Sequence, residues 1–342
     1  MKIGGGIPAI QTIPATTLTN QLAPTPVLDD YSLEFLRLSH SSQHGAYKSC
    51  PRKLEFRKFF EDSSREESPA GDAGNACHSA FYQYLVSGGD RDLADYTLMR
   101  QYPIKHQKSH MDGRSLQACW QVCQLLYDYP GLSRYQLATV IHNGVEKPAI
   151  EIPFEIFFKD FYLNDSDNSI PVSYVGYIDT IWYDVLTGTY LVVDVKTTRF
   201  KMSDYTPMFR FDSQCLPYAF VLEKILGQVV TDLDVMYLVG YIDHLEPRLQ
   251  PLHFNKTQAD VHDWARELYM DIRQIKEYYN SRWWPRRGKS CYAFGRTCQY
   301  YDYCDSRDLT DINLRLKLAN NTPGKGLDTF DPWFTMELEF AQ

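Results

Sequence analysis

Apolar and polar positions alternate in three distinct ways along the chain. Residues 1–30 carry Gly, Pro and Thr without a period, which predicts a flexible N-terminal arm. From Tyr31 the apolar positions take a helical spacing. Ser-rich caps precede a short helix, and Cys50-Pro51 places proline at a first helical position. After a run of charged and small residues, Asp72 is expected to cap a helix whose His78, Phe81, Tyr82 and Leu85 share one face. Residues 91–101 and 114–128 also read as helices. Near Pro148 the spacing changes. Residues 150–158, 173–183, 189–198 and 234–243 are rich in β-branched and aromatic side chains and read as strands. A helix around 213–226 interrupts them, and a long helix near 257–280 follows. Helices before, between and after a group of strands predict one mixed α/β domain over 31–305. A C-terminal helix and an acidic, aromatic tail are expected over 306–342.

Composition narrows this picture. The chain has 342 residues, enough for one large domain or two ordinary ones. Apolar residues make up 44% and charged residues 23%, which excludes whole-chain disorder and low complexity. The net charge of −8 gives no global positive field toward nucleic acid, so any such contact must come from a local basic groove. No run of about 18 apolar residues is present, so no membrane span is expected. The N-terminus lacks the charged-then-apolar order of a signal peptide, and a cytoplasmic location is the expectation.

The segment with the most chemical content joins Gly176-Tyr177-Ile178-Asp179 to Asp194-Val195-Lys196-Thr197. A four-residue turn, Val185-Leu186-Thr187-Gly188, pairs Asp184 with Thr189. The same register sets Asp179 opposite Asp194, within about 5.5 Å at Cβ. Lys196 is two residues on and shares their face. Two facing acids with a lysine can hold a divalent cation and place an ammonium beside it. The alternative is an ion-pair set on a solvated sheet face, but Tyr190-Leu-Val-Val before Asp194 has the character of a buried strand.

These residues resemble the core of the PD-(D/E)XK nucleases, and most closely the RecB-type branch. That branch adds a His on an upstream helix, matched by His78, and a Gln and Tyr four apart, matched by Gln214 and Tyr218. The resemblance runs from about Ser39 to Cys304. It implies a restriction-endonuclease-like mixed central sheet flanked by helices. It also implies that His78, Asp179, Asp194 and the Val195 carbonyl hold Mg²⁺ or Mn²⁺ and that Lys196 helps activate the attacking water. Gln214 and Tyr218 would position substrate and active-site groups. Pro217 lies between them and disfavours a regular helix; a helix starting near Leu216 would leave Gln214 ahead of it. The eponymous Pro is Ile178 here. Glu146 and Glu151 both precede the core strand, where the branch often carries a Glu, and the pattern does not choose between them.

Eight cysteines are present, three of them (Cys291, Cys298 and Cys304) close together near the C-terminus, which points to a metal or cluster. Cys50 stands at a helix N-terminus, which favours its thiolate. The AddB-type nucleases and the related CRISPR-adaptation nucleases have one Cys before the core and three after it. By that resemblance Cys50, Cys291, Cys298 and Cys304 would hold a 4Fe-4S cluster, a clasp joining the N- and C-terminal helical regions. Structural Zn²⁺ is the alternative. The gap between Cys291 and Cys298 is longer here than in those families. Cys119 and Cys123 are expected in the core.

Lys48, Arg52, Lys53, Arg57 and Lys58 flank Cys50, and Arg282, Arg286, Arg287 and Lys289 precede Cys291 beside Trp283 and Trp284. If the cysteines meet, these runs form a local groove for a phosphate backbone and stacked bases. Arg199 and Lys201 are further phosphate candidates. There is no P-loop, so any helicase motor would be a separate partner, as would a single-strand-binding or recombination protein. The expected function is a metal-dependent DNA exonuclease in recombination, repair or replication, with a phage-encoded origin plausible by analogy. The alternatives are an endonuclease and a non-catalytic DNA-binding or assembly subunit retaining the fold.

Overall fold

A long hairpin, β6 (Pro171–Asp184) and β7 (Thr189–Thr198), sets the centre of the molecule. The computed structural model describes residues 35–40, 44–59, 69–102, 115–164, 170–199, 206–242, 246–293, 296–301, 304 and 330–339. The expected N-terminal arm and C-terminal helix, and Lys201, lie outside these residues. Among the described residues, no helix is long and apolar enough to cross a membrane.

Chain order begins with β1 (Leu36–Leu38), α1 (Gly45–Ser49), α2 (Pro51–Phe59), α3 (Pro69–Val86), α4 (Arg91–Gln101) and α5 (Leu116–Tyr127). Strands β2 (Tyr135–Leu137), β3 (Thr139–His142), β4 (Val145–Pro148) and β5 (Ile150–Tyr162) lead into the central hairpin. After β7 come α6 (Thr206–Arg210), α7 (Tyr218–Leu226), β8 (Asp232–Tyr241), β9 (Arg248–Thr257) and α8 (Gln258–Ser281). Two short strands, β10 (Tyr292–Ala293) and β11 (Arg296–Thr297), form a small hairpin, and β12 (Phe334–Leu338) is the last element.

The main sheet runs β12-β5-β6-β7-β8-β9, with β1 and β2 also paired to β6. Strands β5, β6 and β7 are antiparallel, whereas β7 and β8 are parallel. A parallel pair needs a crossover, and α6 and α7 supply it. Alternation along β7 and β8 sends Leu191, Val193, Val195, Met236 and Leu238 to one face, under α3, α4 and α5. Val192, Val235, Tyr237 and Val239 face the other way, under α7 and the apolar stripe Val261, Trp264, Leu268, Ile272 and Ile275 of α8. The result is a mixed sheet between two helical layers, as the sequence pattern predicts.

Three local expectations change. Helix α3 starts at Pro69, so Asp72 lies in its first turn rather than at its cap. Helix α7 starts at Tyr218 behind Pro217, so Gln214 precedes it. Three successive tight turns replace the helix there, from Leu216 N to Ser213 O, Tyr218 N to Cys215 O and Ala219 N to Leu216 O. Proline's missing N–H explains the change. The acidic, aromatic tail is a strand: β12 adds to the outer edge of β5 in parallel, from Phe334 opposite Phe154 to Leu338 opposite Phe158.

Asp184 closes the β6–β7 turn. Its Oδ1 accepts from Arg134 Nε at 2.9 Å and from the Leu186 N–H at 3.0 Å, and Arg134 Nη2 contacts its other oxygen. The hydrogen bond from Arg134 holds this carboxyl well below its ordinary value. A depressed carboxyl contributes stability that is full above its unfolded pKa and is lost as pH falls toward the folded one. Asp184→Asn therefore lowers the thermal midpoint near neutral pH, and the gap to wild type narrows below about pH 4. Melting curves between about pH 7 and about pH 3 check this.

Candidate active site

The register predicted for the hairpin is the one observed, from Asp184 opposite Thr189 to Thr180 opposite Val193. The β6–β7 ladder ends there, one position short of the two aspartates. On this edge of β6, β1 pairs with residues 172–174 and β7 with residues 180–184. The opposite edge of β6 is filled by β5 and then β2. Residues 175–179 therefore face a notch in the sheet, with no strand partner on that edge among the described residues. Asp194, Val195 and Lys196 continue along β7, held by β8. The notch opens into a cavity of about 540 Å³, whose lining includes His78, Glu151, Asp179, Lys196, Gln214 and Tyr218.

Small residues let α3 reach this cavity. A Cβ at Gly74 would meet Thr197 Oγ1 at 3.1 Å, so the helix lies close against β7 one turn before His78. On β6, a Cβ at Gly176 would meet the Phe154 ring at 2.7 Å. Phe154 occupies that space from β5 and packs edge-on against Tyr218 at 5.8 Å. The glycine of the Gly-x-Ile-Asp segment is thus required by an aromatic ring laid across the strand.

Asp194 is fully buried and Asp179 nearly so. Lys196 Nζ lies 2.8 Å from Asp194 Oδ2, and His78 Nδ1 lies 3.9 Å from Asp179 Oδ2. Burial raises the Asp194 carboxyl far above its ordinary value, and the Asp179 charge adds to this. Burial also raises Asp179, against the pull of Lys196. For Lys196, burial disfavours the charge, but Asp194 and Asp179 outweigh it and hold the ammonium above its usual value. Burial, then Lys196, lowers His78 to about 4, while its bond to the Val195 backbone acts the other way. Gln214 and Tyr218 meet side chain to side chain although no helix face joins them.

Asp179 Oδ2 and Asp194 Oδ1 are buried and accept no well-formed hydrogen bond among the described residues. Two such oxygens fit a hard divalent cation, which favours carboxylate ligands. The ligand set expected from sequence is not closed, however. Among the described residues, no three His, Cys, Asp or Glu groups are spaced as metal ligands. His78 shares the cavity, beside Asp179 and the Val195 backbone.

Glu151 was one of two candidates left open by sequence, and the structure separates them. Glu151 has φ 48° and lines the cavity. Its side chain stays exposed at the cavity rim, where partial desolvation and then the Asp194 charge raise its carboxyl. Glu146 instead accepts from Thr139 Oγ1 at 2.6 Å on the exposed β3–β4 hairpin. A positive φ at a non-glycine residue is rare, and alternation along the strand gives no sign of it. Ser39, His40 and Asn75 also line the cavity, and none carried a sequence signal.

The cysteine-bearing segments meet, but not as a formed ligand set. The Arg287 N–H donates to Cys50 Sγ at 3.4 Å, and Ser290 Oγ donates to the Ser49 carbonyl at 2.5 Å. The Cys298 N–H donates to the Cys291 carbonyl at 2.8 Å. Burial pushes the Cys304 thiol up to about 11, while Arg52 and Arg286 pull it down and Cys50 and Cys298 push it up. All four thiols are free and fall in one region, yet they do not approach as metal ligands. Cys119 and Cys123 are buried core residues, as expected.

The two basic runs also meet, through Arg287 Nη1 on the Lys48 carbonyl at 2.7 Å. Part of their charge is already paired, Lys48 with Asp271 at 2.6 Å and Arg52 with Glu55 at 2.5 Å. Arg286, Arg287, Lys289 and Trp283 are exposed, whereas Trp284 is buried.

A strand notch with paired carboxylates and a lysine, in a mixed sheet between helices, is the arrangement of a nuclease core. The family model of the PD-(D/E)XK nuclease superfamily matches residues 37–305, and the chain belongs to that superfamily. Membership implies phosphodiester hydrolysis, and nucleases of this superfamily typically use Mg²⁺ or Mn²⁺. Among solved structures, the chain is similar to a candidate exonuclease from Eubacterium rectale, with a TM-score of 0.44 and 13% identity over 82% of this chain and 92% of that one. A second, the protein SSO0001, has a TM-score of 0.20 and 10% identity over 68% of this chain and 86% of that one. No curated protein matches the chain in sequence.

Neutralising one of two buried, mutually repelling carboxylates relieves the chain without metal. Asp179→Asn is expected to raise the thermal midpoint in EDTA by ~1–2 °C, for about 1 kcal/mol. The rise that Mn²⁺ gives the wild type is expected to be lost in this variant. Melting with and without Mn²⁺ reads both.

Proposed function

We propose that this chain is a metal-dependent DNA exonuclease of the RecB type, with Asp179, Asp194, His78 and the Val195 carbonyl holding Mg²⁺ or Mn²⁺. The observation that carries the reading is the pair of buried carboxylates beside Lys196, at a sheet notch open to a cavity. A divalent cation, when bound, supplies Lewis acidity and neutralises charge on the phosphate.

The chain's own groups supply the rest. Asp194 holds the Lys196 ammonium in place and keeps it charged, so it can donate to a phosphate oxygen as negative charge develops. His78 is held neutral and bonds the Val195 backbone, which steadies the strand at the notch. Gln214 and Tyr218 lie together in one wall of the cavity and orient the bound strand. Glu151 lies at the cavity edge, within reach of a proton donor or acceptor there. Exposed Arg286, Arg287 and Lys289 offer contacts to the backbone away from the scissile bond.

Lys196→Ala is expected to lower cleavage by at least about a hundredfold, while the variant still folds and binds oligonucleotide with a lowered melting midpoint, because Asp194 loses its buried partner. End-labelled single- and double-stranded oligonucleotides with Mn²⁺ read activity, direction and strand preference together. Wild-type rates in the variant would reject the role of Lys196. An inactive wild type that still binds DNA would favour the non-catalytic subunit.

The four cysteines Cys50, Cys291, Cys298 and Cys304 are proposed to hold a 4Fe-4S cluster as a structural clasp, with Zn²⁺ as the alternative. The convergence of the two segments around Cys50 and the four free thiols support this. Thiolates are soft ligands for either occupant. Protein purified without oxygen is expected to be brown, with iron and sulfide in equal amounts. A colourless protein with one zinc per chain would replace the cluster, and neither metal would remove the clasp.

A further inference from the structure

The cavity has an aromatic wall of which the chemistry above uses only Tyr218. Most of its rings are buried: Phe154, Tyr174 and Tyr218 pack within the core. Tyr177 does not. It sits two residues before Asp179 on β6, lines the same cavity and is 48% exposed. Phe330 stands beside it, edge-on at 5.5 Å, and also lines the cavity.

Phe330 lies beyond residues 37–305, the part matched by the superfamily. Its place is secured on two sides. Three residues on, the Trp333 N–H donates to the Pro153 carbonyl at 2.9 Å. The Trp333 ring stacks on His142 at 5.0 Å, and Lys147 Nζ lies 4.5 Å from its centre. From the other side, the Arg37 guanidinium lies 5.9 Å from the Phe330 ring centre. Arg37 is itself held by Glu155 at 3.0 Å, which also accepts from Ser173 Oγ at 2.7 Å. An exposed ring at the reaction centre, backed by a second ring that a separate strand anchors, is a surface made to be covered by something flat.

We propose that the exposed Tyr177 ring, braced edge-on by Phe330, is a stacking platform for an unpaired base next to the scissile phosphate, so that the site selects single-stranded DNA ends. The proposal rests on the nuclease reading above and adds the feature that chooses its substrate. A nucleobase has a π-face that stacks on tyrosine or phenylalanine whatever its identity. In a duplex both faces of a base are covered by its neighbours, so a paired end must fray before it can use the platform. A cavity of about 540 Å³ is on the scale of a small-ligand site and has room for a splayed nucleotide. Arg37 then acts as a positioning residue, through Phe330.

The test uses the full chain in EDTA, which withholds the cation, with single-stranded oligonucleotides carrying 2-aminopurine at one end or the other. Binding is expected to quench one end's fluorescence, through stacking, in wild type and Tyr177→Phe. Tyr177→Ala is expected to lose the quench and, with Mn²⁺ present, to raise KM for single strands about tenfold with kcat little changed. Phe330→Ala is expected to weaken both effects in the same direction. Melting curves establish that each variant is folded; Tyr177 is exposed, so its loss leaves the core intact. No quench at either end in wild type, or an equal quench in Tyr177→Ala, would overturn the platform even if cleavage is robust. A wild type that quenches but cuts nothing would instead remove the nuclease reading and leave the platform standing.

Discussion

Two negative groups buried side by side are the constraint around which this molecule is built. Removing an ion from water costs several kcal/mol even after relaxation. Asp179 and Asp194 both carry that penalty and repel each other as well. Lys196 offsets one of the two charges. The other is left for a proton or a cation to balance, so the apo chain holds an electrostatic deficit that ligand binding relieves. The core bears the cost: β8 supports β7 along its length, and fully buried apolar residues of α3 and α5 seal the far face of the sheet. Such local instability is common at sites selected for chemistry rather than stability.

The notch arises from a change of partner within one strand. Strand β6 is held along one edge by β5 and β2, but along the other by β1 and β7 with a gap between them. The two acids fall where β7 is about to be held by β8 alone. Phe154, passing over Gly176 and against Tyr218, floors the gap with rings instead of polar groups. A dry floor strengthens every charge interaction above it. The sheet topology therefore supplies both the position of the acids and the medium in which they act.

Much of this was legible in the sequence where local rules decide. The turn after Asp184 has a length that sets the hairpin register, so the juxtaposition of Asp179 and Asp194 followed from counting residues. The buried character of Tyr190 to Val193 marked β7 as an internal strand. Other features depended on backbone detail or distant contacts. Pro217 replaced a helical turn with tight turns, yet Gln214 and Tyr218 still meet, which helix periodicity alone would not predict. Glu151 enters the cavity with a backbone angle that no alternation encodes. The tail mixes acids and aromatics, and its pairing with β5 is a contact across most of the chain. Cysteine spacing named four thiols, and the structure draws the segments that carry them together around Cys50 through backbone and arginine contacts that spacing does not encode.

Strand β12 has a consequence for how the molecule is made. It is the last described element to leave the ribosome, yet it borders β5, which is synthesised far earlier. Until it arrives, the growing polypeptide exposes a bare sheet margin, the kind of surface that recruits other chains. Sealing that margin and seating Phe330 are one event. Translation itself thus sets the time at which the sheet loses this open margin and the cavity gains its last wall.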